Sequence, residues 1–131
     1  MNSKIKNAAT DNLFRCILTM NTLEECYKLF EDLCTVHEIQ AIAQRMQVAE
    51  MLDRKCTYIE IAEKTGASTA TISRVNRALT YGMDGYRLAI DRVREQKEKE
   101  EAEYVRQREE KLEDAHRRWD ASMEAVKELW I

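Results

Sequence analysis

The stretch "TGASTATISRVNRAL", Thr65 to Leu79, decides the fold. It opens on a glycine, runs through small hydroxylated residues, and then sets two arginines among apolar positions. With the preceding "TYIEIAEK", Thr57 to Lys64, it has the spacing of a helix-turn-helix, two short helices crossing over a tight turn. Counting Tyr58 as the first position, small Ala62 is fifth, Gly66 ninth, Ile72 fifteenth and Val75 eighteenth. Ala62 lets the helices approach, and Gly66 can take the positive φ that the turn demands. Ile61, Ile72, Val75 and Leu79 are predicted to face inward, with Ala67 burying the turn.

The helix predicted from Thr69 to about Leu79 then has an outer face of Thr69, Ala70, Ser73, Arg74 and Arg77. Ser68 is the expected N-cap. Ser and Thr are only moderate helix formers, so Ser68, Thr69 and Thr71 in four residues cost helix stability and ask for a reason. Groove entry supplies one. Small residues fit a major groove end-on, hydroxyls bond base edges or phosphates, and methyl groups meet thymine methyls. The free N–H groups at the helix start favour a phosphate. Double-stranded DNA is therefore the expected partner. Lys64, Ser68, Thr69, Ala70, Thr71, Ser73, Arg74 and Arg77 are the expected contacts, with Arg54 and Lys55 as further phosphate ligands.

Working outward, helix starts are marked clearly. The pattern S/T-x-x-E occurs at Thr22–Glu25, Thr35–Glu38 and Thr57–Glu60, each ahead of an apolar-periodic segment. Asp11 is the expected cap of an earlier helix. Helices are predicted over 12–20, 23–33, 36–53, 58–64 and 69–79. The third is expected to bury Ile39, Ile42, Ala43, Met46, Ala49 and Leu52, spaced three and four apart. The 131 residues include three glycines and no proline, too few for the tight turns of a strand-rich fold. The fold class is read as all-α.

Residues 1–87 carry 11 basic and 11 acidic side chains, and residues 88–131 carry 10 and 13, so the net −3 comes from the tail. A neutral head can still gather its cations on one face. Cys16, Cys26, Cys34 and Cys56 form no C-x-x-C pair, and His37 and His116 are too scattered for zinc, so no metal site is expected. The cysteines read as small hydrophobes in a reducing compartment. No apolar run approaches the roughly 20 residues of a membrane span, and a cytoplasmic protein is expected. No nucleophile–base pairing or phosphate loop points to an enzyme.

"YGMDGY", Tyr81 to Tyr86, reads as a loop separating the head from a charged tail. From Arg87, Glu and Lys/Arg recur three or four apart, as in Glu95–Lys99, Lys97–Glu101, Lys99–Glu103 and Glu113–Arg117. Val105, Leu112, Trp119 and Val126 lie seven apart, but Arg108, Ala115 and Ser122 make a poor second heptad position. The tail reads as a long solvated helix, a coiled-coil-like segment or a disordered tail. The organisation expected is a flexible N-terminus over 1–10, the helix-turn-helix domain over 11–87 and the charged helix over 88–131. Cofactor-binding residues are unassigned from these patterns.

"TGASTATISRVNRAL", with "AIAQRMQVAEML" before it and "YGMDGY" after it, resembles the Trp repressor superfamily, closest to its YerC/YecD-type branch. The resemblance covers about Leu13 to Leu88. It implies an intertwined all-helical homodimer, joined through the N-terminal helices, that represses transcription from a near-palindromic operator. Thr69, Ala70 and Ser73 fall on its base-reading positions. Tryptophan-sensing members hold the indole between two arginines, near a glycine and a serine. Arg74 matches one arginine and Thr71 a neighbouring threonine. The other arginine falls on Gln44, beside Arg45, while Val75 replaces the glycine and Ala78 the serine. These replacements speak against a tryptophan corepressor. The resemblance says nothing of the tail, whose alternative role is a helical assembly module that grips a protein partner or oligomerises through Trp119 and Trp130.

Overall fold

The computed structural model describes residues 2–130; Met1 and Ile131, the outermost residues of the expected N-terminus and tail, lie outside the described residues. Six helices follow one another: α1 (Ala8–Leu18), α2 (Leu23–Leu33), α3 (Val36–Asp53), α4 (Tyr58–Thr65), α5 (Thr69–Tyr81) and α6 (Gly85–Leu129). No strand occurs among the described residues, so the all-α class holds. Two compact units result, Met1–Leu88 and Ala89–Ile131.

Capping residues set most of the helix starts. At α3 and α4 the Thr35 and Thr57 side chains accept from the N–H groups of Glu38 and Glu60, and the two glutamates reach back to the threonine N–H groups. The box at α2 is opened by one residue. Thr22 accepts from the Glu25 N–H, but the Glu25 carboxylate accepts from Asn21 instead. The expected start of α1 was four residues late. Asn7 is the cap, its side chain accepting from Thr10 N–H at 2.8 Å. Asp11 falls in the first turn, where its charge suits the helix dipole, and it pairs with Lys6 at 3.7 Å.

The core of the first unit is small and lies where α3, α4 and α5 meet. Val48, Ala49 and Met51 of α3, Ile61 of α4, Ala67 of the turn, and Ile72 and Val75 of α5 are buried. The face expected on α3 is only partly correct. Ala49 is buried and Ile39, Met46 and Leu52 are half-buried, but Ile42 and Ala43 are exposed, while Val48 and Met51 carry the packing. The two ends of α3 therefore present different faces. Neither α1 nor α2 buries a residue, and Phe14, Leu18, Leu23, Tyr27 and Val36 stand exposed.

Two turns frame the α4–α5 pair. Gly66 ends α4 in the left-handed region at φ 71°, as its spacing predicts. At the end of α3, Lys55 takes φ 65°. Its N–H donates to the Leu52 carbonyl and that of Cys56 to the Met51 carbonyl, the two bonds of a Schellman motif, with lysine where glycine is usual. At the end of α5, a side chain on Gly82 would meet the Ala78 carbonyl oxygen at 2.3 Å, so only glycine fits that close approach. The expected loop shrinks to residues 82–84, because α6 already starts at Gly85. Arg87 bonds Asp53, tying the start of α6 to the end of α3.

Helix α6 is continuous over 45 residues, about 67 Å at 1.5 Å per residue. Its ion pairs join other partners than the spacing predicts. Arg106 bridges Glu103 and Glu110, and Arg117 and Arg118 share Asp114. Exposed pairs of this kind differ little in energy, so many pairings compete. The Arg106 guanidinium, helped by the Gln107 amide, holds the Glu103 carboxyl below its usual range. Val105, Leu112, Trp119 and Val126 are exposed along the helix. No described helix is long and apolar enough to cross a membrane.

Candidate nucleic-acid interface

Helix α5 sorts its residues by angle. At about 100° per residue, Thr69, Ala70, Ser73, Arg74 and Arg77 share an arc of about 140°. Ile72, Val75 and Leu79 share a narrower arc on the opposite side. The burial follows this division. All five outer residues are exposed, Ile72 and Val75 are buried, and Leu79 is half-buried.

The start of α5 is locally satisfied and otherwise open. Ser68 Oγ accepts from the Thr71 N–H at 3.1 Å, and the two hydroxyls lie 3.0 Å apart. One orphan donor of the first turn is thereby capped. Ser68 is exposed and Thr71 half-buried, so this hydroxyl pair sits at the rim of the outer face. Beside it, the side chains of Thr69, Ser73, Arg74 and Arg77, and of Lys64 at the end of α4, form no hydrogen bond or ion pair among the described residues. Two hydroxyls and two cations without a side-chain partner among the described residues thus line the outer arc of α5, from Thr69 in its first turn to Arg77 in its third. Of the eight expected contact residues, seven are exposed and Thr71 is half-buried; they run from Lys64 in the last turn of α4 to Arg77 in the third turn of α5.

Two features of the pair had no signal in the spacing. Asn76 donates its side-chain amide to the Tyr58 hydroxyl at 3.2 Å, joining α5 to the first residue of α4. Gln44 of α3 donates to the Thr65 carbonyl at 3.0 Å. Hydrogen bonds across 18 and 21 residues depend on tertiary placement, so neither partner could be picked out beforehand.

The flank of α5 between its two arcs lines a cleft of about 440 Å³ with α3 and the start of α6. Gln44 and Arg45 stand on one side, Thr71, Arg74, Val75 and Ala78 on the other, and Tyr86 at one edge. Arg45 lies along its own helix, its Nε donating to the Ala41 carbonyl at 3.4 Å. The six positions compared with a tryptophan pocket therefore do converge. Their lining is what differs, with buried Val75 on the wall and no hydroxyl at Ala78. Among the described residues no group of His, Cys, Asp and Glu is placed to hold a metal ion.

Comparison with known proteins covers this same unit. The family model described as Trp repressor protein matches residues 8–94. YerC of Bacillus subtilis (strain 168), itself uncharacterised, is 55% identical over 92 residues, which are 70% of this chain and 88% of the relative. A solved TrpR-like protein from Eubacterium eligens ATCC 27750 superposes with a TM-score of 0.69 at 54% identity, covering 70% of this chain and 95% of that one. A solved candidate Trp repressor from Staphylococcus aureus superposes with a TM-score of 0.68 at 53% identity, covering 70% and 91%.

Proposed function

The chain belongs to the Trp repressor family, a family of DNA-binding regulators rather than enzymes, and on that premise we propose that it is a sequence-specific repressor. It acts as a homodimer on a near-palindromic operator. The observation that carries this reading is the outer arc of α5, where Thr69, Ala70, Ser73, Arg74 and Arg77 stand exposed behind a capped helix start and form no side-chain hydrogen bond or ion pair among the described residues. Thr69, Ala70 and Ser73 read base edges in the major groove. Arg74 and Arg77 pair a guanine or phosphates. Lys64, Arg54, Lys55 and the Ser68–Thr71 hydroxyl pair hold the backbone on either side. The exposed apolar residues of α1 and α2 support a second copy as the occupant of that surface. Two heads then meet half-sites about 34–36 Å apart. A cytoplasmic location suits this role.

In vitro selection from random DNA with the full chain, at two salt concentrations, tests the class. A two-fold symmetric consensus with half-sites one helical turn apart is expected. Recovery of DNA without a consensus would sink the proposal. On the selected operator, Arg74→Ala should lose about 1–3 kcal/mol, roughly 5- to 150-fold in affinity. Its melting temperature should stay that of the parent, because Arg74 is exposed and unpaired. Undiminished operator binding would remove Arg74 from the interface.

The same cleft supports regulation without tryptophan. Val75 occupies wall space and Ala78 offers no polar contact. Isothermal calorimetry of the full chain with L-tryptophan should show no binding at micromolar concentrations, and a micromolar Kd would overturn this.

A further inference from the structure

Base contacts demand that a reading helix be held to within about half an ångström and 10–20°. The turn before α5 is poorly suited to provide that alone, because Gly66 contributes no side chain and is itself exposed. The restraint comes from Thr65. As the last residue of α4, its carbonyl is among those a helix leaves without an internal donor. Gln44, midway along α3, donates its side-chain amide to that carbonyl at 3.0 Å, and both residues are half-buried. The Thr65 hydroxyl donates to the Ile61 carbonyl at 2.7 Å and accepts from the Ala67 N–H at 3.1 Å. Ile61 and Ala67 are core residues. Thr65 is thus fixed at its hydroxyl by the core and at its carbonyl by α3. Three residues later the chain reaches Ser68, the cap of the reading helix.

We propose that Gln44 is a positioning residue for DNA recognition. By holding the Thr65 carbonyl it sets where α5 starts relative to α3, and so sets the discrimination between operator and random DNA. This rests on the reading of α5 as the recognition helix. Gln44 acts through Thr65. The arginines and lysines that serve phosphates sit on long flexible side chains and tolerate a displaced turn. The short side chains of Thr69, Ala70 and Ser73 do not. Losing the tie should therefore cost specific binding and spare the electrostatic, sequence-independent part.

The test is a fluorescence-anisotropy titration of the full chain against a selected operator and a random duplex of equal length, over a range of salt. Gln44→Met keeps the length of the side chain and removes the donor. Operator affinity should fall about tenfold, while random-duplex affinity and the salt slope stay those of the parent. A purely structural role would not separate the two DNAs, since partial unfolding lowers both together. Gln44→Leu, also without a donor, uncharged and of similar bulk, should repeat the result and serves if the methionine variant does not fold. Parental operator affinity in a folded variant, or an equal loss on both DNAs, overturns the assignment. A parent that itself fails to distinguish operator from random DNA overturns the recognition-helix reading instead, and does so before any substitution is made.

Discussion

A chain carrying Phe14→Glu and Leu18→Glu is expected to sediment as a single chain and to lose operator affinity by about 10²–10⁴-fold. The two side chains are one helical turn apart on α1, 53% and 82% exposed. Glutamate at such positions costs the isolated chain little. It costs an interface much, because a carboxylate would be buried against an apolar surface. Leu23 and Tyr27 on α2 and Val36 at the start of α3 are exposed as well, more large apolar side chains than two short helices and a helix start ordinarily leave uncovered. On the proposed dimer, operator affinity would depend on the assembly, because a second head, once tethered, binds as an intramolecular event. Truncation after Arg94 supplies the contrast. It removes Trp119 and Trp130 with most of the apolar stripe of α6 and should leave a two-chain mass and operator binding intact. If the truncated protein becomes monomeric while the double glutamate variant stays dimeric, the tail is the assembly surface and the N-terminal helices are not.

These exposures also explain which parts of the molecule were legible beforehand. Capping residues act within four positions, so Thr35–Glu38 and Thr57–Glu60 announced the starts of α3 and α4 to the residue. The turn at Gly66 was legible for the same reason, since a positive φ selects glycine locally. Lys55 and Asp84 take positive φ without being glycine, and nothing in the sequence marks them. Apolar periodicity gave the inner arc of α5, where one partner surface governs the whole helix. It misjudged α3, because an apolar residue signals burial without saying against what. Ile42 and Ala43 are apolar yet exposed, whereas Val48 and Met51 are buried, on a helix that packs on α4 and α5. The outer residues of α5 were readable as a site because their composition works against helix formation, a cost with no return inside the chain. The Gln44–Thr65 and Asn76–Tyr58 bonds were not, because they arise only once three helices have been placed.

Ile72→Ala is the variant expected to cost most in stability, about 2–5 kcal/mol. Ile72 is fully buried. It packs in a core of few residues, so the cavity left by the lost carbons has little neighbouring bulk to close it. Small domains have about 5–15 kcal/mol in all, and each kilocalorie is worth about 4–8 °C in a unit of this size. A fall of at least about 8 °C in Tm is therefore expected by calorimetry, compared with the parent at equal protein concentration, since self-association of any kind would couple Tm to concentration. The residue directly after it on the helix makes the opposite case. Ser73 is exposed, and Ser73→Ala should leave Tm within about 2 °C, the scale of a surface change, while changing operator preference. One turn of α5 would then carry stability on one side and recognition on the other. An unchanged Tm for Ile72→Ala would mean that α5 is not anchored on α3, and a helix without that anchor could not hold Thr69, Ala70 and Ser73 to a base pair.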